Sequence, residues 1–330
     1  MQHCYIERST GKVMSEEFIG DRFIRFLYSK VRENSQFMFN LAVNRTTTNL
    51  LKFLKYDKKL SRKEIDYYLS MLKIDLDELY DDPGQFKTLS DIFERRIRYW
   101  DKRPMDDSFD VVVSPADSKM VIGSLAEDSL LCLKDKFFTL DDLLIKPKWV
   151  NKFINGDYAI FRLTPDEYHY NHLPVSGIVI DFYEIEGKFH SCNPYSTITI
   201  VTPLSLNRRA VTIIDTDVPN GSNVGIVAFI EVAAMMIGKI DQRYSEIKYE
   251  SPTGMMEGLF LKKGQPKSVY RPGSSTNVVL FEKNRIEFDH DLIAFSQNSQ
   301  TKSRYTYGFN VPITETKIKV RERIGTRRKI

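Results

Sequence analysis

The 330-residue chain contains few cysteines, and they form no evident disulfide or metal framework. Cys4, Cys132 and Cys192 are far apart, with no CxxC or comparable metal-ligand spacing. An odd number of scattered cysteines indicates a reducing compartment. Residues 1–12 carry charges and no apolar stretch, so we expect no secretory signal.

Long hydrophobic runs are also missing. The longest, residues 224–238, is too short to cross a bilayer and has Glu231 at its centre. We interpret it as a pair of buried β-strands, and we expect any membrane contact to be peripheral. The net charge of +4 suits an anionic membrane surface without requiring one.

The first third of the chain has the pattern of helices. Apolar residues recur at helical spacing through residues 15–55, with charges on the opposite face. Ser61 and Glu64 have the spacing of a capping box, which predicts a helix over 65–73, and a third helix is predicted over 89–99. The aromatic stretch between Phe18 and Tyr28 fits core packing and membrane contact equally well.

After Pro104 the pattern changes to short β-branched runs separated by Gly, Pro, Asn and Asp, with one helix predicted over residues 139–144. The predicted strands are 111–113, 158–163, 178–185, 198–201, 211–214, 224–233, 278–281 and 286–288. The fold class is therefore α+β. We predict a mainly helical N-terminal region, 1–104, followed by a strand-rich catalytic domain, 105–330.

Two of the five histidines lie close together, three residues apart. His169 and His172 precede Pro174 and Gly177, and about a hundred residues later Ser274 and Ser275 run into the strand over 278–281. Histidine can serve as a base, and a serine at a turn-to-strand junction can serve as a nucleophile. Taken alone, the histidines also fit core positions or two metal ligands, and the serines fit an ordinary turn.

Four segments in a fixed order decide between these readings, and together they resemble the phosphatidylserine decarboxylase family. They are Ser-Pro-Ala-Asp at 114–117, Phe-Arg-Leu-Thr-Pro at 161–165 continued by Tyr-His at 168–169 and His-Leu-Pro-Val at 172–175, Ser-Cys-Asn-Pro at 191–194, and Lys-Gly at 263–264 followed by Gly-Ser-Ser-Thr at 273–276. Weaker similarities lie at 91–95, at Arg103-Pro104 and at Glu315-Thr316. The resemblance covers roughly residues 85–325.

The resemblance implies a precursor that cuts itself. A serine attacks the carbonyl before it, and the product is converted to a covalent pyruvoyl group. By this resemblance Asp117 orients His172, His172 is the base, and His169 helps to reprotonate the substrate carbanion. Ser275 is the expected nucleophile, giving a β chain of 1–274 and an α chain of 275–330. Ser274 is the alternative, because it restores a Gly-Ser bond.

The same resemblance implies the activity. It is the decarboxylation of phosphatidylserine to phosphatidylethanolamine, through a Schiff base between the substrate amine and the pyruvoyl group, which acts as an electron sink. The implied partner is phosphatidylserine in an anionic membrane surface. We expect a cytoplasmic protein that is peripheral on the membrane and forms a homodimer, with no nucleic-acid partner and no metal.

Departures from the family pattern keep two alternatives open. Ser118 stands where the family usually has Gly, and the segments 230–239 and 265–272 differ from the family pattern. Since some of these changes lie near the expected cut, the same fold could act on a free amino acid. Ser274, which stands where the family usually has Gly, keeps open a second alternative, an unprocessed lipid-binding protein without enzyme activity.

Overall fold

The computed structural model describes residues 2–127, 129, 136–235, 239–273 and 275–329. Its first elements are strands rather than helices, since β1, Cys4–Glu7, and β2, Lys12–Ser15, form an antiparallel hairpin. Strand β1 also pairs in parallel with β15, Glu315–Ile318, near the other end of the chain. The predicted helical region is thus preceded by a hairpin at the edge of the main sheet.

Seven short helices follow this hairpin. They are α1 (Asp21–Phe26), α2 (Arg32–Asn34), α3 (Gln36–Ala42), α4 (Arg45–Tyr56), α5 (Arg62–Met71), α6 (Leu89–Phe93) and α7 (Tyr99–Lys102), with a π-helical turn at Leu27–Val31. The predicted capping box is confirmed, because Ser61 and Glu64 bond each other's backbone N–H groups at the start of α5. The single helix predicted over 89–99 is two helices, because Asp81 binds both the backbone and the guanidinium of Arg96 between them.

Strands dominate the rest of the chain. They are β3 (Val111–Val113), β4 (Ser118–Ser124), β5 (Asp157–Leu163), β6 (Tyr170–His172), β7 (Gly177–Ile185), β8 (Arg209–Asp215), β9 (Ile226–Ala233), β10 (Ile240–Gln242), β11 (Phe260–Leu261), β12 (Pro266–Tyr270), β13 (Ser275–Phe281), β14 (Ile286–Phe288) and β16 (Arg323–Arg327). The intervening helices are α8 (Leu140–Leu144), α9 (Pro147–Phe153), α10 (Pro194–Thr199), α11 (Pro203–Leu206), α12 (His290–Ser296) and α13 (Arg304–Phe309). The predicted α+β class is confirmed.

Within the described residues, ten strands form the main sheet, in the order β11-β7-β8-β9-β13-β5-β4-β15-β1-β2. Two three-stranded sheets accompany it, β10-β12-β6 and β14-β16-β3. Alternate residues of β13 enter different cores, because successive side chains of a strand point to opposite faces. Val279 and Phe281 pack with Phe288 of the second small sheet, whereas Val278 and Leu280 pack against α8 and α9.

Two strand predictions are wrong. The β-branched residues at 198–201 overlap α10, because Pro194 occupies its first turn and the Asn193 side chain accepts a hydrogen bond from the backbone N–H of Tyr195. The described part of the predicted strand pair, residues 224–235, holds a single strand, β9. Strand β9 lies between β8 and β13 with both faces buried, so its sequence is apolar without alternation. Residues 236–238 lie outside the described part of the chain.

Candidate active site

Ser275 is the first residue of β13, and both of its neighbouring strands are in place. It pairs with Leu163 on β5 and with Ala233 on β9. Its side chain is fully buried, and its Oγ has no hydrogen-bond partner among the described residues. A buried hydroxyl without a partner is costly, and this one belongs to the serine that the sequence motifs predict as the nucleophile. Gly273, two residues before it, has φ 146°, a conformation that favours glycine.

Ser274, the alternative nucleophile, lies outside the described residues.

His172 lies at the end of β6 with both ring nitrogens engaged. Its Nδ1 is 2.9 Å from the carbonyl oxygen of Gly264, and its Nε2 is 2.9 Å from the hydroxyl of Tyr168. Since a carbonyl only accepts, Nδ1 carries the proton and Nε2 accepts from Tyr168. Burial lowers the pKa of His172 to about 3, so the ring is neutral at pH 7.

His169 has the free nitrogen. Its Nδ1 donates to the carbonyl oxygen of Glu167 at 2.8 Å, which leaves a lone pair on Nε2. That Nε2 is buried and has no partner among the described residues. Phe93 of α6 covers the ring at a centroid distance of 3.6 Å. Burial, with a contribution from the nearby Arg95 charge, lowers the pKa of His169 to about 3.

Asp117 is held by an arginine rather than by a histidine. Arg103 donates to both carboxylate oxygens, at 3.1 and 2.7 Å, and the backbone N–H of Val320 donates at 2.8 Å. Burial alone raises the pKa of Asp117, but Arg103 and these hydrogen bonds outweigh it and the pKa is lowered. No hydrogen bond between Asp117 and His172 is found among the described contacts, so the orienting role assigned to Asp117 stays a prediction.

The backbone brings these groups into one region. The N–H of His172 donates to the carbonyl oxygen of Pro115 at 2.7 Å, which places β6 beside the Ser-Pro-Ala-Asp segment. Ala116 in that segment packs in one cluster with Leu163 and Ala233, the two residues that flank Ser275. Within the described residues no side-chain hydrogen bond joins Ser275 to either histidine.

Asp117 also lines a cavity of about 270 Å³. Its lining includes Arg95, Asp117, Glu167 and Tyr168, together with Leu72 from the end of α5. Burial raises the pKa of Glu167 to about 7, against the opposing charge of Lys119. The cavity therefore joins the N-terminal helices to the predicted catalytic carboxylate.

Several residues of this region were not identified from the sequence. The phenol of Tyr249 is 2.7 Å from that of Tyr168, and Tyr168 in turn bonds His172. Arg95 is buried and donates to the carbonyl oxygens of Ile92 and Asp166 at 3.1 and 2.8 Å. Tyr168 and Arg95 lie within quoted motifs, so a signal for them existed. Tyr249 lies far along the chain with no motif around it.

Glu231 is a paired charge. Its carboxylate is 2.6 Å from the ammonium of Lys267, and both side chains are fully buried. This pairing is the structural role that a lone acid in an apolar strand suggests.

Among the described residues, one group could offer three metal ligands: His3, Glu16 and Glu315, whose ligand atoms lie within 4.8 Å of one another. The guanidinium of Arg162 already bridges the two carboxylates, at 2.6 to 2.9 Å. Burial raises the pKa of Glu315, but Arg162 outweighs it and the pKa falls to about 2. The group is an ion-pair network that joins the N-terminal hairpin to β5 and β15.

Comparison with known proteins gives a consistent result. The family model described as phosphatidylserine decarboxylase matches residues 89–310. A phosphatidylserine decarboxylase proenzyme of Chlamydia trachomatis is 30% identical over 302 residues, 91% of this chain and 94% of the relative. Proenzymes of the same name from Ruminiclostridium cellulolyticum (30% over 319 residues, 96% and 95%) and Fusobacterium nucleatum (28% over 295 residues, 89% and 92%) also match. The matched range contains Asp117, His169, His172 and Ser275.

Proposed function

This chain belongs to the phosphatidylserine decarboxylase family, as its sequence motifs predicted, and we propose that it cuts itself and then converts phosphatidylserine to phosphatidylethanolamine. The observation that carries the proposal is the buried, unpaired Oγ of Ser275, which directly follows the proposed cut. Gly273 supplies the unusual backbone conformation that a tight turn before a nucleophile needs.

The self-cleavage uses Ser275 as nucleophile. Its hydroxyl loses a proton to a histidine, and its oxygen attacks the carbonyl carbon of residue 274. The C–N bond breaks, the nitrogen of Ser275 takes a proton, and an ester remains. Loss of the Cα proton of residue 275 then breaks the ester C–O bond, which frees the 274 carboxylate and leaves dehydroalanine. Water replaces ammonia to give the pyruvoyl group at the start of the α chain, 275–330.

The side chains divide the proton transfers between them. We assign the serine and Cα protons to His172, with Asp117 as the orienting carboxylate, and the reprotonation of the substrate carbon to His169. The free Nε2 of His169 supports a direct part in proton transfer. His172 must release Tyr168 before its Nε2 can accept a proton from Ser275.

The pyruvoyl group fits this position because it replaces a side chain whose only polar atom lacks a partner. Its ketone supplies an electrophile for the substrate amine and an acceptor for the electrons that CO2 leaves behind. Because the side chains of His169 and His172 are fully buried, we expect that chemistry to take place away from bulk water.

Intact mass spectrometry of the denatured protein tests the cleavage. We expect two chains, the smaller one being 275–330 with a pyruvoyl-blocked end. Ser275→Ala should remain a single 38.5 kDa chain, and Ser274→Ala, the matched control, should still be cut. The reverse pattern moves the nucleophile to Ser274. An uncut native protein that binds lipid and releases no CO2 supports the lipid-binding alternative.

Intact mass, together with an assay of CO2 release, distinguishes the roles of the two histidines. His172→Ala should stay uncut, whereas His169→Ala should be cut but release little CO2 from phosphatidylserine. A cut His172→Ala protein contradicts the base assignment. Activity on free serine with none on the lipid selects the amino-acid alternative.

The N-terminal helices offer a surface for the membrane that holds the substrate. Seven apolar side chains on α1, α3 and α4 are half exposed or more: Phe23 50%, Phe26 56%, Phe37 76%, Met38 53%, Leu50 56%, Phe53 65% and Leu54 59%. Residues 19–59 also carry nine Lys or Arg against three Asp or Glu. None of the helices in the described part of the chain has the length and apolar character that a bilayer crossing needs. We therefore propose peripheral docking on the anionic cytoplasmic face.

Sedimentation with phosphatidylserine or phosphatidylcholine vesicles checks this docking. Replacing both Phe37 and Phe53 with Ser should weaken binding to phosphatidylserine vesicles at least about tenfold, because two large apolar side chains are lost. Val201→Ser is the matched control, since Val201 is 81% exposed but lies outside these helices. If the double variant binds vesicles normally but loses the proposed homodimer on gel filtration, the surface is a subunit interface.

A further inference from the structure

A buried ion pair begins a chain of polar side chains that leads to the cleavage strand. The ammonium of Lys267 on β12 is 2.6 Å from Oε2 of Glu231 on β9. Gln242 closes this pair, accepting from Lys267 at 2.7 Å and donating to Glu231 at 2.7 Å. Both side chains are fully buried, so the pair bonds to protein groups and not to bulk water.

Asn171 of β6 connects this ion pair to β13 by hydrogen bonds. Its Nδ2 donates to Oε1 of Glu231 at 3.2 Å and to Oγ of Ser268 at 2.9 Å. Its Oδ1 accepts from Nδ2 of Asn277 at 2.8 Å. Asn277 is two residues after Ser275, so the two side chains lie on the same face of β13.

Tyr270 is the last member of this series of hydrogen-bonded side chains and lies beside the proposed cut. Its hydroxyl is 2.6 Å from Oδ1 of Asn277 and 3.0 Å from the carbonyl oxygen of Thr276. Both acceptors belong to the two residues that follow Ser275. Tyr270 is in the β chain and these acceptors are in the α chain, so the contact crosses the cut.

Cleavage would remove the covalent bond before Ser275, so the start of β13 would become a chain end held only by noncovalent contacts, the ladders to β5 and β9 among them. A chain end that is no longer tethered frays unless other contacts hold it. An apolar cluster would be expected to stabilise the fold as well as the buried ion pair does, so stability alone does not account for the pair. A polar network that ends on the backbone beside the new chain end gives it a positioning role.

We propose that Lys267, Glu231, Asn171, Asn277 and Tyr270 form a clamp that holds the new N terminus of the α chain in the active site after cleavage. The proposal rests on the self-cleavage proposed above. Tyr270 and Asn277 are positioning residues, because they touch the backbone and side chain beside residue 275 and do not touch the reacting atoms.

Tyr270→Phe tests the clamp, because it removes one hydroxyl and keeps the ring. We expect complete self-cleavage, a kcat for decarboxylation that is about tenfold lower, and an unchanged KM. Tyr183→Phe is the matched control, since the Tyr183 hydroxyl donates to the carbonyl oxygen of Leu144 at 2.8 Å, away from the cut. It should leave kcat unchanged. If Tyr270→Phe fails to fold, Asn277→Ser is used in its place, because it removes the Oδ1 that accepts from the Tyr270 hydroxyl.

Hydrogen–deuterium exchange over 276–281 supplies a readout apart from activity. Tyr270→Phe should speed exchange severalfold in the cut protein but not in an uncut protein that also carries Ser275→Ala. Equal acceleration in both backgrounds means a general structural role and overturns the clamp, as does exchange equal to that of Tyr183→Phe. An uncut Tyr270→Phe protein also overturns it, because the hydroxyl then acts before cleavage. If the native chain itself stays uncut, the proposed function has failed instead.

Discussion

At the scale of single residues, the two histidines differ in what their nitrogens can do. Both rings are fully buried and neutral, with pKa values lowered to about 3 by burial. His172 is bonded at both nitrogens, whereas Nε2 of His169 has no hydrogen-bond partner in the part of the chain that the structure describes. The motif placed both residues in the active region, but the distribution of protons depends on Glu167, Gly264 and Tyr168, which only the fold brings to the rings.

These lowered pKa values predict that the folded protein becomes less stable as the pH is lowered. An unfolded chain binds a proton at each histidine below about pH 6.5, whereas the folded chain does not until about pH 3. Each ring therefore lowers the free energy of unfolding as the pH falls through this window. Glu167 has the opposite effect, because its pKa is raised from its ordinary value of 4.5 to about 7 in the folded chain. Between these two pH values the folded chain binds the proton more tightly, so the free energy of unfolding rises as the pH is lowered. We expect the two histidines to outweigh the one carboxyl.

Denaturant unfolding of the uncut Ser275→Ala protein between pH 6.5 and 4.5 measures the effect. Adding His169→Asn keeps a donor for the carbonyl oxygen of Glu167 and removes a titrating group. The slope of the free energy of unfolding against pH should then fall by up to about 1.4 kcal/mol per pH unit. His290→Asn, the same exchange at an exposed histidine, is the control against which the slope of His169→Asn is compared. A slope that His169→Asn does not change would contradict the assignment of this ring as neutral.

At the scale of elements, the sequence predicted what local patterns determine. The Val278–Phe281 run gave β13, and the capping box gave α5, because both signals lie within a few residues. Strands β6 and β12 were missed because their polar residues, among them Asn171 and Lys267, are buried by pairing with each other and with β9. No periodicity records such partners. The Arg103–Asp117 pair was likewise invisible, although both residues lie in noticed motifs.

At the scale of the whole molecule, the proposed cut divides a sheet and not two domains. Strand β13 of the α chain pairs along all seven residues with β5 on one side and β9 on the other. Strand β15 lies between β4 and β1, and β16 pairs with β3. The buried hydrogen bond between His3 Nε2 and the Glu315 carboxylate, 2.7 Å, adds a side-chain contact between the chains. The α chain is therefore enclosed by β-chain strands.

This interleaving predicts that cleavage does not release the α chain. Native mass spectrometry should find 1–274 and 275–330 together, in a species no smaller than 38.5 kDa, and denaturant should separate them. The uncut Ser275→Ala protein should have the same native mass and give one chain in denaturant. The reason is that separation exposes β13, whose seven side chains are all buried, and breaks two complete strand ladders. A 275–330 chain that dissociates in native buffer would show that these ladders do not persist after the cut.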